Sequence, residues 1–320
     1  MFLNPQILSI TILDIIFLLF GVIVFFISIK IYLKWDFNSS TSLQYTLEKQ
    51  SFLSAVIIKY IFYLKLPLFL FFIFTLDSLS NIIVGAMCAA GVIDATSYGM
   101  SLFILKIANI YLFGIWLLIH SIDIKYPNLE FTKLKFGYFI LIFGLFILEI
   151  ILELMLFNSI DVSKMVSCCG TLYSSSATSV ISSIFSINSH IFVYAFYFIY
   201  LLNIILYKIK NAYAFAFSNI LFLIISIVSL IIFFSPYIYE LPTHHCPFCI
   251  LQKDYYFIGY ILYIALFIGT FYGIATAVSS YLDKQNKSYF KISIIFISIY
   301  TIIISLYPIM YYINNGVWLN

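Results

Sequence analysis

The chain has 320 residues, of which 64% are hydrophobic and only 9% are charged, and its net charge is +3. Soluble domains carry about 25% charged residues, and the mean hydropathy here is +1.10. The composition therefore excludes a soluble globular protein and predicts one embedded in a lipid bilayer. Nothing in it indicates nucleic-acid binding.

Apolar stretches long enough to cross a membrane recur along the chain, since a bilayer core takes about 20 residues of helix. They predict an all-α polytopic membrane protein with about eight transmembrane helices in one integral membrane domain. The second stretch is interrupted by Lys59, Lys65 and Pro67, and there we expect an interfacial helix that leads into the span. The predicted spans cover residues 7–29, 60–83, 101–121, 136–158, 189–207, 213–236, 255–278 and 292–313.

The lysines and the cysteines fall into different connections between these spans. Most lysines follow the first, third, fifth and seventh spans, and lysine-rich loops are typically cytoplasmic. The chain is then expected in the inner membrane of a bacterium, with both termini outside the cytoplasm. All five cysteines lie in the opposite loops, where thiols can be oxidised. They are Cys88, Cys168, Cys169, Cys246 and Cys249.

The segment HHCPFCILQKD contains the densest group of reactive side chains. Cys246 and Cys249 are three residues apart and can close a small disulfide, and a nearby cation or helix N-terminus stabilises the thiolate. His244, His245 and Lys253 flank the pair. The same spacing also suits a soft metal ion, with either histidine as a further ligand. Electron exchange and metal binding both remain open at this point.

The run CPFCILQK resembles the CxxC segment of the DsbB family of disulfide-generating membrane proteins, over about residues 244–270. In that family the pair lies at the outer end of a span and passes electrons to a quinone, which a basic residue contacts. The resemblance implies that Cys246 and Cys249 are the quinone-proximal pair and that Lys253 stands where the family has arginine. Members have four spans and a second cysteine pair, a role that would fall to Cys168 and Cys169.

Two further loops carry soft ligands. In KMVSCCG, Cys168 and Cys169 could relay electrons to the CPFC pair through a mixed disulfide, or one could form a structural disulfide with Cys88. Met165 adds a thioether that suits Cu(I). In VGAMCAAGV, Met87 and Cys88 are adjacent among small residues that let backbones approach closely. A packing role for Cys88 is the simplest alternative.

Asp14, Lys106, Glu149 and Glu153 are ionisable residues that fall inside predicted spans. Such groups are expensive in a membrane, so they pair or mark a pathway. Glu149 and Glu153 lie on one helix face, and two neighbouring carboxylates in a low dielectric do not both ionise readily. They predict a proton pathway, and a Lys106–Glu153 ion pair is the alternative.

Two hypotheses of function follow. The first is an inner-membrane thiol–disulfide oxidoreductase that exchanges electrons between an extracytoplasmic thiol protein and membrane quinone. The second is a copper-handling protein that serves an extracytoplasmic metalloenzyme, with ligands that converge from all three outward loops. A membrane subunit or assembly factor with purely structural disulfides is the third.

Overall fold

The computed structural model describes residues 3–36, 39, 41–126, 129–162, 165–166, 189–282 and 286–319. Every regular element in these ranges is helical. Eight helices are long and apolar enough to cross a membrane. The prediction of an all-α polytopic membrane protein is therefore confirmed.

The helices are numbered in chain order and include one short element, α3. They are α1 (Pro5–Lys34), α2 (Ser42–Ser80), α3 (Ala89–Asp94), α4 (Gly99–Asp123), α5 (Thr132–Ser159), α6 (Ser189–Ile209), α7 (Ala212–Tyr239), α8 (Ile258–Tyr281) and α9 (Lys287–Asn315).

Several helix ends are set by local sequence. Four helices begin at a residue whose side-chain oxygen accepts a hydrogen bond from a backbone N–H of the first turn, which replaces a missing intrahelical partner. These residues are Asn4, Thr41, Asn211 and Asn286. Helix α9 ends at Gly316, whose φ of +72° favours glycine.

The described residues group into two compact units, and the first comprises Met1–Ile83 and Val92–Lys164. Here α1 packs on α2 and α5, and α4 packs on the same two helices, so the four close into a bundle. Aromatic rings fill its core. Phe62 stacks on Phe113 with ring centroids 4.3 Å apart, and the edge of Trp116 meets Phe62 at 5.5 Å.

Helix α2 corrects the expectation of an interfacial helix before the second span. It runs unbroken for 39 residues with Pro67 inside it. Lys65 is 3% exposed and so is not a loop lysine. A lysine is tolerated within a span when it meets carboxylates there, and Lys65 contacts two. Lys106 also lies inside the bundle and so is not a loop lysine either. Without Lys65 and Lys106, most lysines still follow the first, third, fifth and seventh spans.

The second unit comprises Val84–Gly91 and Met165–Asn320. Helix α6 packs on α7 and α9, and α8 packs on the same two, which gives another four-helix bundle. Asn219 lies at its centre. Its Nδ2 donates to Asn203 Oδ1 at 2.9 Å, and Ser293 donates to its Oδ1 at 3.1 Å. A Cβ on Gly273 would lie 2.1 Å from Asn219 Cγ, so only glycine permits this approach of α7 and α8.

The C-terminal part of α7 is irregular. Residues Leu230–Phe234 form a π-helical turn, and the helix ends where Glu240 adopts a left-handed conformation with φ of +54°. Such π turns are frequent at functional sites. The chain then enters the loop that carries both histidines and the CPFC pair.

Candidate functional site

Three cysteines of the second unit meet in what we term the thiol cluster, formed by Cys88, Cys246 and Cys249. Their sulfur atoms all lie within 4.8 Å of one another. The sulfurs of Cys88 and Cys246 are 3.3 Å apart, close enough for exchange and longer than a disulfide bond. The three residues are at most 5% exposed. The sequence placed Cys88 in a different loop from Cys246 and Cys249, and the fold brings the three together.

Two tyrosine hydroxyls hold the CPFC turn from the flanking helices. Tyr239 at the end of α7 donates to the carbonyl of Cys246, and Tyr263 of α8 donates to the carbonyl of Pro247 at 2.5 Å. Cys249–Leu251 then forms a 3₁₀ turn. These two hydrogen bonds fix the main chain at Cys246 and Pro247, and with it the position of the CPFC turn.

The segment that carries Cys88 is fixed by its backbone. Gly85 has a φ of +90°, and a Cβ there would lie 2.5 Å from the carbonyl oxygen of Val166. The amide of Val166 donates to the carbonyl of Val84 at 3.0 Å, and Gln252 Nε2 donates to the carbonyl of Met87 at 3.1 Å. Gln252 thereby ties the CPFC segment to the segment of the third cysteine.

Both histidines before the pair are half-buried. His245 Nδ1 lies 3.0 Å from the carbonyl oxygen of Ile231, in the π turn, and the ring of His244 meets the ring of Tyr239 at 4.3 Å. Burial lowers the pKa of both histidines. Cys88 opposes this effect at His244, and the hydrogen bond to Ile231 opposes it at His245. Both rings are therefore neutral at pH 7.

The lowered pKa values predict that the folded protein loses stability in acid. Below about pH 6.5 the unfolded chain takes up protons on these histidines more readily than the folded chain does. We expect the unfolding temperature of protein in lipid nanodiscs to fall as the pH decreases from 7 to 5. His245→Gln should flatten that slope, and Leu241→Gln, at an exposed position of the same loop with no titratable group, should leave it unchanged. An equal slope in all three proteins would contradict the assignment.

The other side chains that the sequence predicted as ligands are exposed or lie outside the described residues. Met87 is 67% exposed and Met165 is 76% exposed. Lys253 is exposed and begins the 3₁₀ turn Lys253–Tyr255. Cys168 and Cys169 lie outside the described residues.

A second group of reactive side chains lies inside the first unit. In this carboxylate–lysine cluster the Lys106 ammonium is 2.9 Å from Glu149 Oε1 and 2.5 Å from Glu153 Oε2. Lys65 lies 3.0 Å from the same Glu149 oxygen and 2.7 Å from Asp14 Oδ1. The Lys106–Glu153 ion pair is thus confirmed, and both glutamates face the same side of α5. Whether the cluster conducts protons stays a prediction.

The sequence analysis missed two members of this group. Lys65 was assigned to the interface, and Asn109, which donates to Glu149 Oε2 at 2.6 Å, was not considered. A polar residue with apolar helix on both sides was the available sign for both.

Comparison of the chain with protein-family models, with curated proteins and with solved structures found no significant match.

Proposed function

We propose that the chain is an inner-membrane thiol–disulfide oxidoreductase of a Gram-negative bacterium. It would pass electrons from an extracytoplasmic thiol protein to membrane quinone. The observation that supports this most is the 3.3 Å separation of the Cys88 and Cys246 sulfurs beside Cys249. Three buried thiols in mutual contact are the arrangement that disulfide exchange requires.

The exchange step conserves electrons within the cluster. The Cys88 thiolate attacks Cys246 of a Cys246–Cys249 disulfide, a Cys88–Cys246 bond forms, and Cys249 leaves as a thiolate. The two thiols of the extracytoplasmic protein then reduce the Cys88–Cys246 bond, so that this protein leaves as a disulfide and Cys88 and Cys246 become thiols. In the terminal step the Cys246 and Cys249 thiols reform their disulfide. They release two electrons and two protons, which a membrane quinone accepts as it becomes a quinol. Lys253 would contact the quinone head group, as the DsbB resemblance implies.

A route to an external thiol protein would run through Cys168 and Cys169. Val166, two residues before Cys168, donates its backbone N–H to the carbonyl of Val84. Val84 in turn is four residues before Cys88.

A copper-handling protein is the second candidate, and the same sulfur cluster favours it. A metal ion about 2.3 Å from each of three thiolates needs sulfurs roughly 4 Å apart, which sulfurs within 4.8 Å of one another can provide. Thiolates are the ligands that Cu(I) prefers. His244 Nε2 has no hydrogen-bond partner among the described residues and would be an additional donor. Met87 and Met165 would serve at an outer, exposed point of entry.

The redox state of the five thiols in cells tests the first candidate against the second. Cells with and without quinone synthesis are acid-quenched, the thiols are alkylated with a mass tag, and the peptides are mapped. We expect Cys246 and Cys249 to be a disulfide with quinone and thiols without it. Five reduced thiols in both strains would exclude the oxidoreductase, and copper bound per purified chain would then be counted in wild type and Cys88→Ser. Disulfides unchanged by quinone would indicate a structural role.

A further inference from the structure

The charges of the carboxylate–lysine cluster do not balance. Its members face one another from all four long helices of the first unit: Asp14 from α1, Lys65 from α2, Lys106 from α4, and Glu149 and Glu153 from α5. Their side chains are 3–5% exposed. Three carboxylates and two ammonium groups leave one negative charge uncompensated when all are ionised. Because an isolated charge is very costly in an apolar interior, a balancing cation is required.

The contacts identify the oxygens at which that cation binds. Glu149 is fully engaged, since Oε1 meets both lysines and Oε2 accepts from Asn109. Asp14 is different. Its Oδ1 meets Lys65, while its buried Oδ2 has neither a hydrogen-bond nor an ion-pair partner among the described residues.

A small cavity lies beside Asp14 and Glu153. Its volume is about 10 Å³, which is about the space of one water molecule. Asp14, Glu153 and Thr11 line it together with apolar side chains. The hydroxyl of Thr11 is also buried without a hydrogen-bond partner in the described part of the chain. The carboxylate oxygens of Asp14, Glu149 and Glu153 lie within 4.8 Å of one another.

We propose that the first unit contains a proton-binding site, in which Asp14 and Glu153 share one proton at the cavity that they line. The proton neutralises the excess negative charge and supplies the donor that the free oxygen of Asp14 lacks. Glu149 stays ionised between the two lysines. Of the two glutamates on α5, Glu153 is therefore the one that exchanges a proton.

A metal ion fits these surroundings poorly. Ca²⁺ and Mg²⁺ take about six or more oxygen ligands, and the cavity offers three polar residues. Lysine ammonium groups 2.5–2.7 Å from Glu153 and Asp14 repel any further multivalent cation. The proton site does not depend on the function proposed for the thiol cluster, because it is formed entirely by the other unit. Buried carboxylates that hold a proton are typical of proton relays and proton-coupled carriers in membranes.

Infrared spectroscopy of the full chain in lipid nanodiscs tests the site. A protonated buried carboxyl group gives a C=O stretching band separate from the carboxylate bands, and the band shifts in D₂O. We expect this band at neutral pH in wild type and in Asp254→Asn, which changes an exposed carboxylate. Asp14→Asn and Glu153→Gln each leave two acids with two lysines, so both should fold and both should lose the band.

Each alternative outcome contradicts the proposal. A wild-type spectrum without the band at neutral pH, or a band that persists in both variants, would show that these groups hold no proton. If the band is missing and the unfolding temperature rises with NaCl but not with choline chloride, the balancing cation is sodium. Should Asp14→Asn fail to fold, Glu153→Gln alone decides.

Discussion

Lys106→Met is expected to lower the free energy of unfolding by about 3–5 kcal/mol, the usual cost of removing one partner from a buried ion pair. The ammonium group of Lys106 contacts two carboxylates and lies 4.5 Å from the centre of the Phe72 ring. Without it, three buried carboxylates face one lysine. Thermal and denaturant unfolding in nanodiscs at neutral pH measures the change.

Two further variants test whether the loss of stability comes from the ion pairs of Lys106. Lys125→Met removes an exposed lysine of the same unit and should stay within about 0.5 kcal/mol of wild type. The double variant Lys106→Met with Glu153→Gln also removes a carboxylate that Lys106 contacts, so it should regain part of the lost stability. Equal stability of Lys106→Met and Lys125→Met would show that the ion pairs do not hold the bundle together.

Cys246→Ser is expected to abolish thiol-dependent quinone reduction, with a fall of the order of 10³-fold or more, as when a covalent nucleophile is removed. Cys246 stands between the other two thiols, because its sulfur is 3.3 Å from Cys88 and it shares the CPFC turn with Cys249. The measurement is the initial rate of reduction of a short-chain ubiquinone analogue with dithiothreitol as donor, using chain in nanodiscs.

Cys249→Ser gives a result of a different kind. With Cys249 removed, the disulfide partner nearest to Cys246 is Cys88, so a Cys88–Cys246 disulfide should accumulate and appear in non-reducing peptide maps. Met87→Ala is the matched control, since the neighbouring Met87 is exposed and takes no part in exchange. Full quinone reduction by Cys246→Ser would refute the relay. Loss of copper by Met87→Ala, with no quinone activity in any protein, would favour the metal site.

The sequence predicted the membrane helices well because their signal is local. Each span is a continuous apolar stretch, and the polar termini come from residues such as Asn4 and Asn211 that cap the helix they precede. The interruption at Lys65 and Pro67 was misread for the same reason. A local pattern shows a charge within an apolar run, and it does not show the carboxylates on two other helices that make this charge tolerable.

The pairing of Cys246 with Cys249 could be predicted from local sequence, but the third thiol beside them could not. Cys88 lies 158 residues from Cys246, and the turn at Gly85 and the hydrogen bond from Gln252 to Met87 hold the two segments together. The same holds for Asp14 of α1, which meets Lys65 of α2 and lies near Glu149 and Glu153 of α5. The membrane-spanning helices and the types of reactive group could be predicted from the sequence alone, because both depend on neighbouring residues. Tertiary packing decided which thiols and which carboxylates meet, because those contacts depend on distances of a few ångströms between segments far apart in the chain.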